Sequence, residues 1–247
     1  MGVILTSYFK VKGYKIPRVL LGTSPFIGAG QFGERAYLYQ LMFYNKPEKI
    51  RDLMISVFEM GVRGVQLLPY HWVVSGLELA LKSYDDIVIV GSILPGEVNE
   101  SLERLKDLNA VAVLLHGAIS DTLNESIIKY LLTKLKILFP LTGIVTHTPG
   151  RTIPWFIEKN FEFDLVLAPL NVAGIFMDIP PEKAIDLYKN VGKPIIGKKI
   201  LAGGRLNPEE ALTFASQSKC LDGVALGVAS LEEAKETFKI ALKLFNF

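Results

Sequence analysis

Eight short runs of apolar residues, each followed by a longer segment of helical period, recur along nearly the whole chain, and this alternation restricts the fold more than any other feature. Such a pattern yields a parallel sheet with helices packed outside it. Strands are expected at 18–22 (RVLLG), 64–68 (GVQLL), 87–91 (IVIVG), 111–115 (VAVLL), 142–146 (TGIVT), 164–168 (DLVLA), 194–198 (PIIGK) and 222–226 (DGVAL). Eight strand–helix units close a (β/α)8 barrel, the α/β TIM-barrel class, and the 247-residue length sits near the usual size of about 250 residues for one. The chain is therefore read as a single domain, 1–247. A doubly wound open sheet is the structural alternative, because periodicity alone does not show closure.

The segments between the runs carry apolar stripes at three- and four-residue steps. Ile50, Leu53, Met54, Val57 and Phe58 form one, and Ile127, Ile128, Leu131, Leu132 and Leu135 another. Asn207 ahead of Pro208 and Glu210, and Ser230 ahead of Glu232 and Glu233, are suited to cap helix starts. The opening residues read as an N-terminal β-hairpin, VILTSYFKV and YKIPRV turned at Lys12-Gly13, that plugs the barrel floor. Apolar Leu242, Leu244, Phe245 and Phe247 close that floor or cover a contact in a homo-oligomer.

A net charge of +2, with no run of five or six like charges, does not suggest nucleic acid or an anionic membrane as partner. Despite a mean hydropathy of +0.33, the apolar runs fall far short of the roughly 18 residues a membrane span needs. The single cysteine, Cys220, allows no internal disulfide, and the first residues show no secretory signal, so a cytoplasmic location is expected. Abundant isoleucine and lysine with little glutamine and cysteine hint at a thermophilic source.

Several stretches in order resemble the aldo-keto reductase superfamily: the hairpin leading to LGTSPFIGAG, then GVRGVQLLPYHW, SLERLKDLNAVAVLLHG and GVALGVASLEEAKETF. That resemblance implies a TIM barrel and hydride transfer between NADP and a carbonyl. It also implies a tyrosine acid, a lysine and an aspartate that lower its pKa, and a histidine that orients the carbonyl. Carried over by position, the histidine falls on His116. The aspartate falls on Gln66, the tyrosine on His71 with Tyr70 one place away, and the lysine near Ser92. The basic grip on the NADP 2'-phosphate falls on Gly227 and Glu233, where a carboxylate repels the phosphate. NADP is thus a cofactor implied by the resemblance but without its usual basic contacts.

Barrel active sites lie at the C-terminal ends of the strands. All three histidines follow strands there: His71 the second, His116 the fourth and His147 the fifth. They are also a ligand set for zinc with an open position, although no HxH pair or nearby carboxylate completes it. Lys198 and Lys199 end the seventh strand, and consecutive strand residues point to opposite sides, so one is expected to face the lumen. A lysine among apolar strand residues has its cation penalised, and the neutral amine attacks carbonyls to give a Schiff base. Loops after the seventh and eighth strands supply Gly203, Gly204, Arg205, Gly227 and Ser230, a place where barrels commonly hold phosphate. The glycine-rich loop from Gly22 to Gly33 is read as a lid, Asn171 as a ligand-bonding side chain, and Trp72 and Trp155 as packing at the mouth.

The leading expectation is a small-molecule site for a carbonyl compound, phosphorylated or not, formed by Tyr70, His71, His116, His147, Lys199 and Asn171. His116 polarises the ligand oxygen, and Lys199 or Tyr70 exchanges the proton. A lysine-dependent aldolase or lyase, and a non-catalytic binding protein that has lost the reductase tetrad, are the alternatives.

Overall fold

The computed structural model describes residues 5–247; Val3 and Ile4, which the first hairpin strand was expected to include, lie outside them. The hairpin pairs β1 (Tyr8–Val11) with β2 (Tyr14–Pro17) antiparallel, Val11 opposite Tyr14. Eight parallel strands then follow: β3 (Val19–Gly22), β4 (Gly64–Leu67), β5 (Val88–Ile93), β6 (Ala112–Leu115), β7 (Leu141–Val145), β8 (Leu165–Pro169), β9 (Ile195–Lys198) and β10 (Gly223–Leu226). They close in chain order, β10 pairing back onto β3 through Val224 and Val19, which excludes the open sheet. The fold is a (β/α)8 TIM barrel with an N-terminal hairpin.

The strands read as near-continuous apolar runs because both faces are buried, one against the lumen and one against helices. Leu20, Val90, Leu114, Val145, Leu167 and Ile196 fill the lumen, and Phe9, Val11 and Ile16 of the hairpin enter the same cluster from below. The C-terminal end seals that floor: Phe245 is buried, its carbonyl accepts the Ser7 hydroxyl at 2.8 Å, and exposed Phe247 lies under the Arg18 guanidinium.

Outside run α1 (Arg35–Phe43), α2 (Pro47–Glu59), α3 (His71–Leu81), α4 (Val98–Asp107), α5 (Gly117–Ser120), α6 (Glu125–Leu138), α7 (Pro149–Glu158), α8 (Pro181–Asn190), α9 (Pro208–Gln217) and α10 (Leu231–Leu244). All five stripe residues of α2 are buried, whereas in α6 Ile127 is exposed, because the first turn lies at the edge of the apolar face. Asn207 accepts the backbone N–H groups of Glu209 and Glu210, and Ser230 that of Glu233, as helix caps do. Trp155 packs on Phe156 and Phe161 at the C-terminal end of α7, away from the mouth where the sequence had suggested it. Among the described residues, no helix is long and apolar enough to cross a membrane.

Candidate functional site

A cavity of about 630 Å³ opens at the C-terminal ends of the barrel strands, within the size range of small-molecule sites. Its floor is set by the inward register. Ile196 points into the lumen core, so Lys198, two residues further along β9, also faces inward and lines the cavity. By the same alternation Gln66 and Ser92 reach the cavity from β4 and β5, and the Gln66 amide donates to the Ser92 hydroxyl at 3.3 Å.

His116 follows β6 directly and caps the short helix α5. Its Nδ1 accepts the Ala118 N–H at 3.1 Å, which makes the ring the neutral Nε2–H tautomer. Burial, the neighbouring His147 and Lys198 hold its pKa down to about 4, so the ring stays neutral at physiological pH.

His147, just past the end of β7, meets His116 with ring centroids 5.8 Å apart. Its Nδ1 lies 3.1 Å from Asp121 Oδ2, which also accepts the His147 backbone N–H at 2.8 Å. Asp121 Oδ1 accepts the hydroxyls of Thr146 and Thr152 at 2.6 and 2.8 Å. Burial alone raises the pKa of this carboxyl, but the bonds from His147, Thr146 and Thr152 outweigh it and hold the group well below the usual carboxylate range. The ionised carboxylate fixes His147 with Nδ1 protonated, leaving Nε2 as a lone pair. For His147 the Asp121 bond favours the cation, yet burial together with Lys198 and Lys199 prevails and its pKa is lowered.

The approach of His147 to α5 depends on a glycine, since a Cβ on Gly117 would overlap the His147 ring. The Ser120 hydroxyl bonds the Val145 carbonyl and ties α5 to β7. Thus one short turn, LLHGAISD, supplies both a neutral imidazole and the carboxylate that orients a second imidazole on the next strand.

Lys199 lies beyond the strand with a left-handed backbone (φ 56°), so strand alternation no longer governs it and it lines the cavity alongside Lys198. Its ammonium sits 5.1 Å from the centre of the Phe176 ring, and burial lowers its pKa to about 8. Lys198 is pushed well below the ordinary lysine range by burial and by the Lys199 charge. Among the described residues neither lysine forms an ion pair.

The remaining expected residues divide. Tyr70 lines the cavity, but burial and the Glu97 carboxylate raise its pKa, and Gln66 and Ser92 occupy the positions where the resemblance placed its activators. His71 is not among the residues lining the cavity; it is exposed on the first turn of α3, its Nδ1 3.3 Å from the Ser75 hydroxyl. Asn171 is fully buried outside the cavity lining. Its amide donates to the Ile175 and Lys199 carbonyls at 2.8 and 3.3 Å, and its oxygen accepts the Ile175 N–H, so it shapes the loop that carries Phe176. Asp121, which sequence reasoning passed over, is the anchor of the pair. An aspartate at a helix end reads as an ordinary cap, and its five-residue offset from His116 was the one available signal.

Gly203, Gly204 and Gly227 line the cavity, whereas Arg205 and Ser230 do not. Arg205 Nη1 donates to the Gln31 and Ala202 carbonyls at 2.9 and 3.0 Å, and Arg35 donates to the Gly203 carbonyl at 2.6 Å. These bonds fasten the glycine-rich first loop, folded as 3-10 turns at Ser24–Ile27 and Gly30–Phe32, over the loop after β9. At the eighth strand end, Glu233 Oε2 accepts the Ala229 N–H at 2.8 Å and Ser230 Oγ accepts that of Glu233. One backbone donor that would meet a phosphate, the Ala229 N–H, is thus taken by the chain's own carboxylate, with Glu236 beside it in the cavity wall. Glu233 and Glu236 oppose the 2'-phosphate of NADP at this wall, and Arg35 is the cation that lines the cavity near them. Trp72 donates to the Phe26 carbonyl at 3.0 Å and packs on Tyr70 and Tyr44 behind the mouth. No group of three or more His, Cys, Asp or Glu side chains placed to hold a metal ion occurs among the described residues.

No family model matches the chain, and no curated protein matches it significantly. Solved structures do. A Pseudomonas aeruginosa protein assigned to the aldo-keto reductases superposes with a TM-score of 0.68 at 17% identity, covering 98% of this chain and 96% of that one. A Bombyx mori aldo-keto reductase in complex with NADP gives 0.63 at 13% identity, covering 99% and 89%. A Klebsiella pneumoniae aldo/keto reductase in complex with NADP and acetate gives 0.60 at 14%, covering 98% and 91%. The chain shares the (β/α)8 fold of these structures over nearly its full length.

Proposed function

We propose that this barrel moves protons, rather than hydride, on a small, anionic carbonyl compound. One observation carries the reading: the Asp121–His147 pair lies beside the neutral His116 on the cavity wall, ring centroids 5.8 Å apart, so that a base and a hydrogen-bond donor can serve one small ligand. His147 Nε2 removes a proton from the carbon next to the carbonyl, and His116 Nε2–H stabilises the negative charge that develops on the carbonyl oxygen. Asp121 keeps His147 in the correct tautomer and stabilises the imidazolium that forms. Lys199, mostly cationic at neutral pH with its pKa of about 8, meets the anionic group of the ligand, a carboxylate or phosphate.

Two features weigh against hydride transfer. Tyr70 has no lysine or aspartate beside it to make it a stronger acid, and Glu233 with Glu236 repels the phosphate of the implied cofactor. Proton NMR in D2O tests the proposal. A panel of small aldehydes, ketones and 2-oxo acids, with and without phosphate groups, is followed for loss of the proton next to the carbonyl. At least one member exchanges faster with the wild type than with His147→Gln. No difference across the panel, or NADPH-dependent reduction of the same compounds, defeats the reading.

A further inference from the structure

The proton-transfer reading leaves Lys198 without a task, and its setting is unusual for a lysine. The side chain enters the lumen directly above the apolar Ile196 layer, lines the same cavity as His116 and His147, and forms no ion pair among the described residues. The one carboxylate whose charge it feels, Asp121, is already bonded to His147, Thr146 and Thr152. An amine held in a lumen of this kind costs stability as a cation, which favours its neutral, nucleophilic form.

We propose that Lys198 forms an imine with the carbonyl carbon of the ligand, making the site a Schiff-base centre served by the two imidazoles. This deepens the proton-transfer reading and rests on it for the class of ligand. The Lys198 nitrogen lone pair forms the C–N bond as the carbonyl π electrons move to oxygen. His147 Nε2 takes the two amine protons in turn and delivers each to the oxygen, the first giving the carbinolamine hydroxyl and the second the water that departs as the C=N bond forms. The net change is amine plus carbonyl giving imine plus water, with no redox partner required. Protonated, the imine draws electrons from the adjacent carbon more strongly than the carbonyl did, and proton removal by His147 becomes easier. His116 donates to the oxygen during the addition. Burial and the Lys199 charge keep the Lys198 amine well below the ordinary lysine range, which supplies the neutral nucleophile. Gln66 and Ser92, bonded to each other on the opposite wall, present neutral polar groups that do not recharge it by ion pairing.

The test is borohydride trapping of the intact protein with pyruvate, as a 2-oxo acid, and dihydroxyacetone phosphate, as a phosphorylated ketone, followed by peptide mass spectrometry. The expected result is a peptide containing Lys198 heavier by the mass of the ligand less one oxygen, formed with at least one probe and dropping to background in both Lys198→Arg and Lys198→Met. Native near-ultraviolet circular dichroism of these variants shows that they fold. No adduct with either probe, or one that maps elsewhere and persists in both variants, overturns the proposal. Proton exchange without a trapped Lys198 adduct rejects the imine and leaves the proton-transfer reading standing. An adduct without proton exchange does the reverse.

Discussion

Asp121 Oδ2 holds His147 twice, at the ring Nδ1 and at the backbone N–H, so a residue of the loop after β6 sets both the position and the tautomer of a base on the end of β7. Replacing Asp121 with Asn removes the negative charge that stabilises the imidazolium. Proton exchange measured by NMR falls by about 10²–10⁴-fold, while the circular dichroism spectrum stays that of the wild type.

Gly117 provides a subtler perturbation of the same pair. Its backbone is helical, so alanine suits its conformation, but the added methyl would occupy space held by the His147 ring. Gly117→Ala moves His147 off Asp121 and slows proton exchange although no functional group is deleted. Wild-type exchange rates in a folded Gly117→Ala protein would show that the ring's placement does not matter.

Lys198 links the site to stability. Its folded pKa lies below the unfolded value of about 10.4. Between the two, the unfolded chain binds more protons than the folded one, so this lysine destabilises the fold at neutral pH and the penalty fades as pH approaches the unfolded value. Lys198→Met therefore melts at a higher temperature than the wild type at pH 7, by about 2–4 °C for each kcal/mol relieved. The gap narrows as pH rises towards 10. Thermal melts across that range show the narrowing, and a gap that widens with pH has the wrong sign for a depressed lysine.

Arg205 latches two loops over the cavity through the Gln31 and Ala202 carbonyls. Arg205→Ala removes its one bond between the loops, to the Gln31 carbonyl, worth about 1 kcal/mol, so amide hydrogen exchange across residues 24–33 speeds up several-fold while that of the barrel strands is unchanged. The same exchange rate in that segment would show that the latch is not what orders it.

The barrel was legible because each buried strand needs an unbroken apolar run and each covering helix an apolar stripe, and those needs are written locally in stretches such as VAVLL and in Ile50 to Phe58. Strand-end placement likewise brought His116 and His147 together correctly. What failed were inferences about side-chain direction. His71 turned outward because α3 begins at that residue, and Tyr70 before it took the cavity position. Lys199 left the strand on a left-handed residue, so the inward lysine by alternation is Lys198, with Lys199 reaching the cavity by another route. Asn171 satisfied backbone groups of its own loop. Asp121 acts across two loops, a relation that exists only once the barrel has closed.

The proposed proton transfer requires opposite tautomers on His116 and His147, and nitrogen-15 NMR of histidine-labelled protein at pH 7 reads them directly. Two neutral rings are expected, His116 protonated at Nε2 and His147 at Nδ1. A cationic His116, or a His147 carrying its proton on Nε2, would contradict that transfer.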